Sequence, residues 1–149
     1  MNQDNKEKFN IEQVKVGRSL EGTIIEVLAV ILLAIAWVIG LTKHQFSGAM
    51  GEKLLGICIV FSIAIVVLLV TCYFPKYFNH SRQLRNMRQV MLSIRMSRVL
   101  AIELALIALI LTISNNLISP QHELTLIFIA VIGIVLTILF FMILIFRAK

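Results

Sequence analysis

The sequence predicts an all-α membrane protein with four transmembrane helices and with both termini on the cytoplasmic side. Of its 149 residues, 59% are hydrophobic and 15% are charged, whereas a soluble domain has roughly 45–50% apolar and about 25% charged residues. Four apolar stretches each have the about 20 residues that a helix needs to cross about 30 Å of hydrocarbon. The Lys and Arg residues concentrate in alternate connections between these stretches. Together these observations exclude an ordinary soluble enzyme domain.

The four predicted spans follow a polar cytoplasmic segment, residues 1–22, and form one transmembrane domain, residues 23–149. The stretches are rich in Ile and Val, but strands in soluble cores have only about 4–8 residues. In hydrocarbon the backbone amides must bond within the segment, so a helix is favoured. The first stretch is also too long for the apolar part of a signal peptide, about 7–15 residues, and we expect it to be retained. The predicted spans are residues 23–42, 54–73, 99–118 and 124–146.

The distribution of basic residues predicts the orientation. Lys and Arg are enriched in cytoplasmic connections. With both termini in the cytoplasm, twelve of the 14 basic residues lie inside, and Lys43 and Lys53 are the two that lie outside. The expected chain therefore crosses its membrane four times, with both termini in the cytoplasm.

The second connection holds six basic residues and no acidic residue between Phe74 and Arg98. Apolar residues recur there at helical spacing from about Ser81 onwards, which predicts a basic amphipathic helix lying in the headgroup region. Its arginines are predicted to contact anionic lipid headgroups, and the alternative is that they only determine the topology. The basic residues do not alternate with aromatic ones, so no nucleic-acid partner is expected. The candidate lipid contacts are Arg82, Arg85, Arg88 and Arg95.

Glu26 and Glu103 are the carboxylates inside the predicted spans. Each lies about one turn from the cytoplasmic end, so similar depths are expected. Carboxylates within spans are costly and are candidate functional groups. The alternatives are structural pairing, Glu103 with Arg95 or Arg98 and Glu26 with a base of the second connection, and proton- or cation-linked function.

The sequence offers no catalytic or cofactor motif. Cys58 and Cys72 lie about 21 Å apart along one helix, too far for a disulfide, and are expected to be packing residues. His122 and Glu123 do not begin the metal-binding pattern HExxH. We therefore expect no enzyme activity, no metal and no cofactor.

The first outer connection carries a candidate motif: His44, Phe46, Gly48, Gly51 and Lys53. With the Tyr-Phe-Pro-Lys-Tyr-Phe-Asn segment at 73–79, it resembles a family of small bacterial membrane proteins with an uncharacterised domain. That domain also heads the toxin-immunity and signal proteins of the sporulation-delay system. The resemblance covers roughly residues 27–110 and lacks the prolines that precede the histidine in that family. It implies a non-enzymatic protein of a bacterial cytoplasmic membrane, whose outer connection faces an extracytoplasmic ligand.

Three functions are consistent with these features. The first is a non-enzymatic immunity, signalling or accessory membrane protein. The second is a small proton-coupled transporter that uses Glu26. The third is a structural subunit of a larger membrane complex. The expected partners are the lipid bilayer and either another membrane protein or a second copy of the chain.

Overall fold

The computed structural model describes residues 19–43, 47–74, 86–114 and 120–148, and within these ranges it is entirely helical. Its four helices are each long and apolar enough to cross a membrane, which confirms the predicted fold class. They are α1 (Leu20–Thr42), α2 (Gly48–Tyr73), α3 (Met87–Ser114) and α4 (Pro120–Arg147).

Local signals account for the helix starts. The Ser19 hydroxyl accepts a hydrogen bond from the Gly22 backbone N–H at 3.1 Å and so caps α1. The Asn86 side-chain oxygen caps α3 by accepting one from the Gln89 backbone N–H at 2.9 Å. Such caps satisfy backbone donors that the first helical turn leaves without partners. Pro120 is the first residue of α4, a position where the fixed φ of proline suits a helix.

The second connection differs from the prediction. From Met87 onwards its residues belong to α3, which runs without a break through Arg98 into the third span. Val90 and Ile94 are completely buried in this part of α3. Protein packing therefore holds this segment, where we predicted a separate helix at the headgroups. Arg82 and Arg85 lie outside the described residues.

α3 is the central helix of the bundle. It packs against each of the other three helices, whereas α1 and α2 touch only slightly and α4 contacts α3 alone among the described helices. Two rows of small residues allow this packing. On α3, Ala101, Ala105 and Ala108 are completely buried. On α1, the buried residues are Gly22, Ala29, Ala36 and Gly40. Small residues let helix backbones approach closely in membranes, where no hydrophobic force drives helices together.

α2 packs through a face that repeats every seven residues. Gly51, Cys58, Ile65 and Cys72 are all buried, and a seven-residue repeat is the spacing at which a helix keeps one seam toward its neighbours. Both cysteines are free and buried, as their predicted packing role requires. Ile65 joins Ala29 and the α3 alanines in one core cluster.

Cross-helix contacts place both described ends of the chain at one end of the bundle. Arg95 and Arg98 of α3 contact Glu21 and Glu26 near the start of α1. Asn86, at the start of α3, donates to the Ala148 carbonyl at 2.8 Å, just beyond α4. We call this the basic end because it carries Arg88, Arg95, Arg98 and Arg147. This arrangement agrees with a chain whose two termini lie on the same side of a membrane.

Toward the opposite end, a hydrogen bond joins α1 to α2. The Trp37 indole N–H donates to the Ser62 hydroxyl at 2.9 Å, and that hydroxyl donates to the Cys58 carbonyl at 2.7 Å.

Ser62→Ala is expected to lower the free energy of unfolding by about 1 kcal/mol. It is also expected to shift the fluorescence of Trp37, the single tryptophan, to shorter wavelength. Thr71→Ala is the control, because Thr71 bonds only its own helix at Leu68 in the described contacts. Equal spectra for both variants would contradict the prediction.

Candidate functional site

A cluster of ionic and hydrogen-bonding side chains joins α1, α2 and α3 at the basic end. The Arg98 guanidinium donates from Nε to Glu26 Oε1 at 2.8 Å, and its Nη2 lies 2.8 Å from the same oxygen in an ion pair. The Tyr73 hydroxyl donates to the other oxygen, Oε2, at 2.5 Å. The exposed fractions of the Arg98 and Glu26 side chains are only 7% and 13%. We call Glu26, Tyr73 and Arg98 the ionic cluster.

The α1 backbone leaves room for the guanidinium of the ionic cluster. Gly22 lies one turn before Glu26 on the same face of α1. A Cβ atom at position 22 would overlap the Arg98 Cζ and both terminal nitrogens. Glycine at this position therefore lets Arg98 lie flat against α1 and reach Glu26.

The contacts of the ionic cluster stabilise the Glu26 carboxylate. A carboxylate in an apolar surrounding is stable only when paired and hydrogen-bonded. Both oxygens of Glu26 have such donors, supplied by two other helices. Glu26, a candidate carboxylate of the transporter hypothesis, is thus occupied by side chains of the protein.

A second ion pair lies beside the ionic cluster but in a different environment. Arg95 Nη2 is 3.2 Å from Glu21 Oε2, and the two side chains are 55% and 63% exposed. Exposed pairs of this kind contribute only about 0–1 kcal/mol. Arg88 and Arg95 are exposed seven residues apart on α3, and their predicted contact with anionic lipid stays a prediction.

Glu103 has a different partner from those expected. Arg95 and Arg98, its expected partners, bind Glu21 and Glu26 instead. Glu103 follows Arg98 by five residues, which is about 7.5 Å along α3. The expectation of similar depths for the two carboxylates stays a prediction. The Thr137 hydroxyl of α4 donates to Glu103 Oε1 at 2.5 Å.

An apolar groove between α3 and α4 begins at Glu103. Its volume is about 230 Å³, and Glu103 is the one ionisable residue among those that line it. Glu103 Oε2 is buried and accepts no hydrogen bond from any described residue. We call this space the α3–α4 groove.

The candidate outer motif is only partly within the described residues. His44 and Phe46 lie outside them. Gly48 has a φ of +77° at the start of α2, a left-handed conformation that favours glycine. Gly51 is buried and Lys53 is exposed on α2. No contact of the described residues joins Gly48, Gly51 and Lys53 into one site.

The structure adds three residues that the candidate set did not contain: Arg98, Tyr73 and Thr137. Arg98 was predicted only as a partner for Glu103, and Tyr73 was considered as the first residue of the 73–79 segment. The sequence does carry one usable signal, because Glu26 and Arg98 each lie near the same end of a span. It carries no comparable signal for Thr137. Among the described side chains, no group of three His, Cys, Asp or Glu residues is placed to hold a metal ion.

Comparisons of the chain with protein-family models, curated proteins and solved structures found no match. The resemblance of the outer connection and of residues 73–79 to a known family therefore stays a prediction.

Proposed function

We propose that this chain is a non-enzymatic accessory protein of a bacterial cytoplasmic membrane, of the immunity or signalling kind, with both termini in the cytoplasm. It would act by binding another membrane protein side by side within the bilayer. The positions of the basic residues support the proposed orientation. The placement of both described chain ends at the basic end also agrees with it.

The main support is the unequal packing of the four helices. α1, α2 and α3 share one core, and the ionic cluster connects them. α4 contacts α3 alone among the described helices, and none of its residues from Thr125 to Arg147 is buried. A span with so little contact inside its own chain is well suited to pack against a partner.

Glu26 gives less support to proton-coupled transport. Such a carboxylate must exchange its proton with solvent or substrate during each cycle. Here the Arg98 guanidinium and the Tyr73 hydroxyl occupy both of its oxygens. Opening this site would require breaking contacts that hold three helices together.

Site-specific photocrosslinking in native membranes tests the proposed partner. A photoreactive amino acid is placed at Leu136 on α4 or at Ile63 on α2, which are each 60% exposed. We expect one protein to be captured in a fixed ratio from Leu136 and not from Ile63. If both positions capture only lipid, the proposed side-by-side binding is wrong. Constant co-purification of many partner subunits in one assembly would favour the structural-subunit hypothesis instead.

A further inference from the structure

The α3–α4 groove combines an apolar wall with one carboxylate. Leu106 and Ile110 line it from α3, and Ile127 and Ala130 line it from α4. Gly133 lies on the α4 wall of the groove, and a Cβ atom added there would have no neighbour within 4 Å. Pockets of this kind bind ligands that are mostly apolar and use the few polar groups for orientation.

The carboxylate in this groove lacks a cation within the described part of the chain. The described donor to Glu103 is the Thr137 hydroxyl, which bonds one oxygen, and the second oxygen is buried without a partner there. Arg98, one and a half turns away, is bound to Glu26. An ionised carboxylate at membrane depth is costly without a cationic partner.

The walls of the groove also set the shape of a ligand. From Glu103 to Leu111 the groove extends along eight residues of α3, which is about 12 Å. Leu106 and Ile127 on its walls are 40% and 37% exposed, so a molecule dissolved in the bilayer can reach it from the side. The terminal torsion of a glutamate is broad, which lets the Glu103 carboxylate turn into the groove.

We propose that the α3–α4 groove binds a lipophilic ammonium ion, with its alkyl chain along the groove and its charged nitrogen on Glu103. The ammonium group supplies a positive charge to Glu103 and a hydrogen-bond donor to its Oε2, which has no donor among the described residues. The apolar walls match the alkyl chain. This site is separate from the ionic cluster and does not depend on the protein partner proposed above.

Photolabelling of the full chain in phosphatidylcholine nanodiscs tests the site. The probe is a twelve-carbon primary amine with a diazirine in its chain, and the neutral control is the matching alcohol. We expect the amine to label peptides of α3 and α4 that line the groove, and unlabelled amine to compete. The alcohol is expected to label all four spans without preference. Equal labelling patterns for amine and alcohol would overturn the proposal.

Two variants test separately the role of the Glu103 charge and the role of the open space in the α3–α4 groove. Glu103→Gln is expected to reduce groove labelling by the amine at least about tenfold, since it removes a charge-assisted hydrogen bond. Gly133→Leu keeps Glu103 but fills the groove, and a comparable loss is expected, which provides a test even if Glu103→Gln does not fold. Glu52→Gln changes an exposed acid on α2 and should leave labelling unchanged. Undiminished labelling of folded Glu103→Gln or of Gly133→Leu would contradict the proposal.

Discussion

Arg98→Met is expected to lower the free energy of unfolding by about 3–5 kcal/mol, because it leaves the Glu26 carboxylate buried without its cation. Tyr73 would then be the remaining described donor to Glu26. The loss is measured by titrating the purified protein in mixed micelles with a denaturing detergent. Because methionine fills much of the space of the arginine stem, the change reports mainly on charge.

The exposed pair gives a matched control for this measurement. Arg95→Met removes the same side chain from the same helix, one turn earlier. Its partner Glu21 is 63% exposed in the side chain, so the expected loss is at most about 1 kcal/mol. Equal losses for the two variants would contradict the assignment of Arg98 to a buried pair.

A double variant shows how much of the stability lost in Arg98→Met is due to the unpaired charge on Glu26. Glu26→Gln together with Arg98→Met removes both charges, so no unpaired ion remains in the core. We expect it to recover more than about half of the stability lost in Arg98→Met, since neutral replacements of a buried pair are often tolerated. If the two single losses simply add, the proposed coupling between the residues does not exist.

Ala101→Leu is expected to be the second most damaging change, with a loss of about 1–3 kcal/mol in the free energy of unfolding or more. Ala101 is completely buried and belongs to the cluster that contains Ala29 and Ile65. A leucine there would push α1 or α2 away from α3. In a membrane this separation is not opposed by hydrophobic attraction, because lipid tails solvate the helices as well as leucine does.

The control for this overpacking is the same substitution at an exposed alanine. Ala34→Leu on α1 adds the same atoms at a position that faces away from the bundle. We expect its unfolding curve in mixed micelles to match that of the unchanged protein. A loss at Ala34 as large as the loss at Ala101 would mean that the extra bulk acts through something other than the small-residue contact.

The spans were predictable because each is a property of its own segment. In hydrocarbon, every backbone amide of a span must form its hydrogen bond within the same segment. The composition and length of a segment are therefore enough to identify it as a spanning helix. The boundaries were less accurate. Pro120 can end one helix or begin the next, and only the structure shows that it begins α4.

The packing was harder to predict because the spans are apolar on most of their surface. No charged stripe marks the face of α3 that turns inward. The buried row of Ala101, Ala105 and Ala108 lacks the two glycines by which such close-packing motifs are usually searched. The seven-residue spacing of Gly22, Ala29 and Ala36 on α1 was nevertheless readable, and it identifies the face that packs on α3.

For the candidate sites, the sequence likewise predicted which residues are unusual but not which partners they have. Glu26 and Glu103 were found from the sequence because ionisable residues in hydrocarbon stand out. Their different environments depend on which neighbouring helix supplies the donors. α1 turns Glu26 toward Arg98, and α3 turns Glu103 toward Thr137 and the α3–α4 groove.

The amino-acid sequence alone thus determined that the chain is suited to a lipid bilayer and how many segments are long and apolar enough to cross it. It also determined that the basic residues lie in alternate connections. Those properties follow from the cost of moving each segment into hydrocarbon, which is local and nearly additive. Only the tertiary structure decided that α3 is central, that Arg98 binds Glu26 and that Glu103 faces a groove. Those outcomes depend on which surfaces fit closely enough for short-range contacts, and such fit is a joint property of two helices.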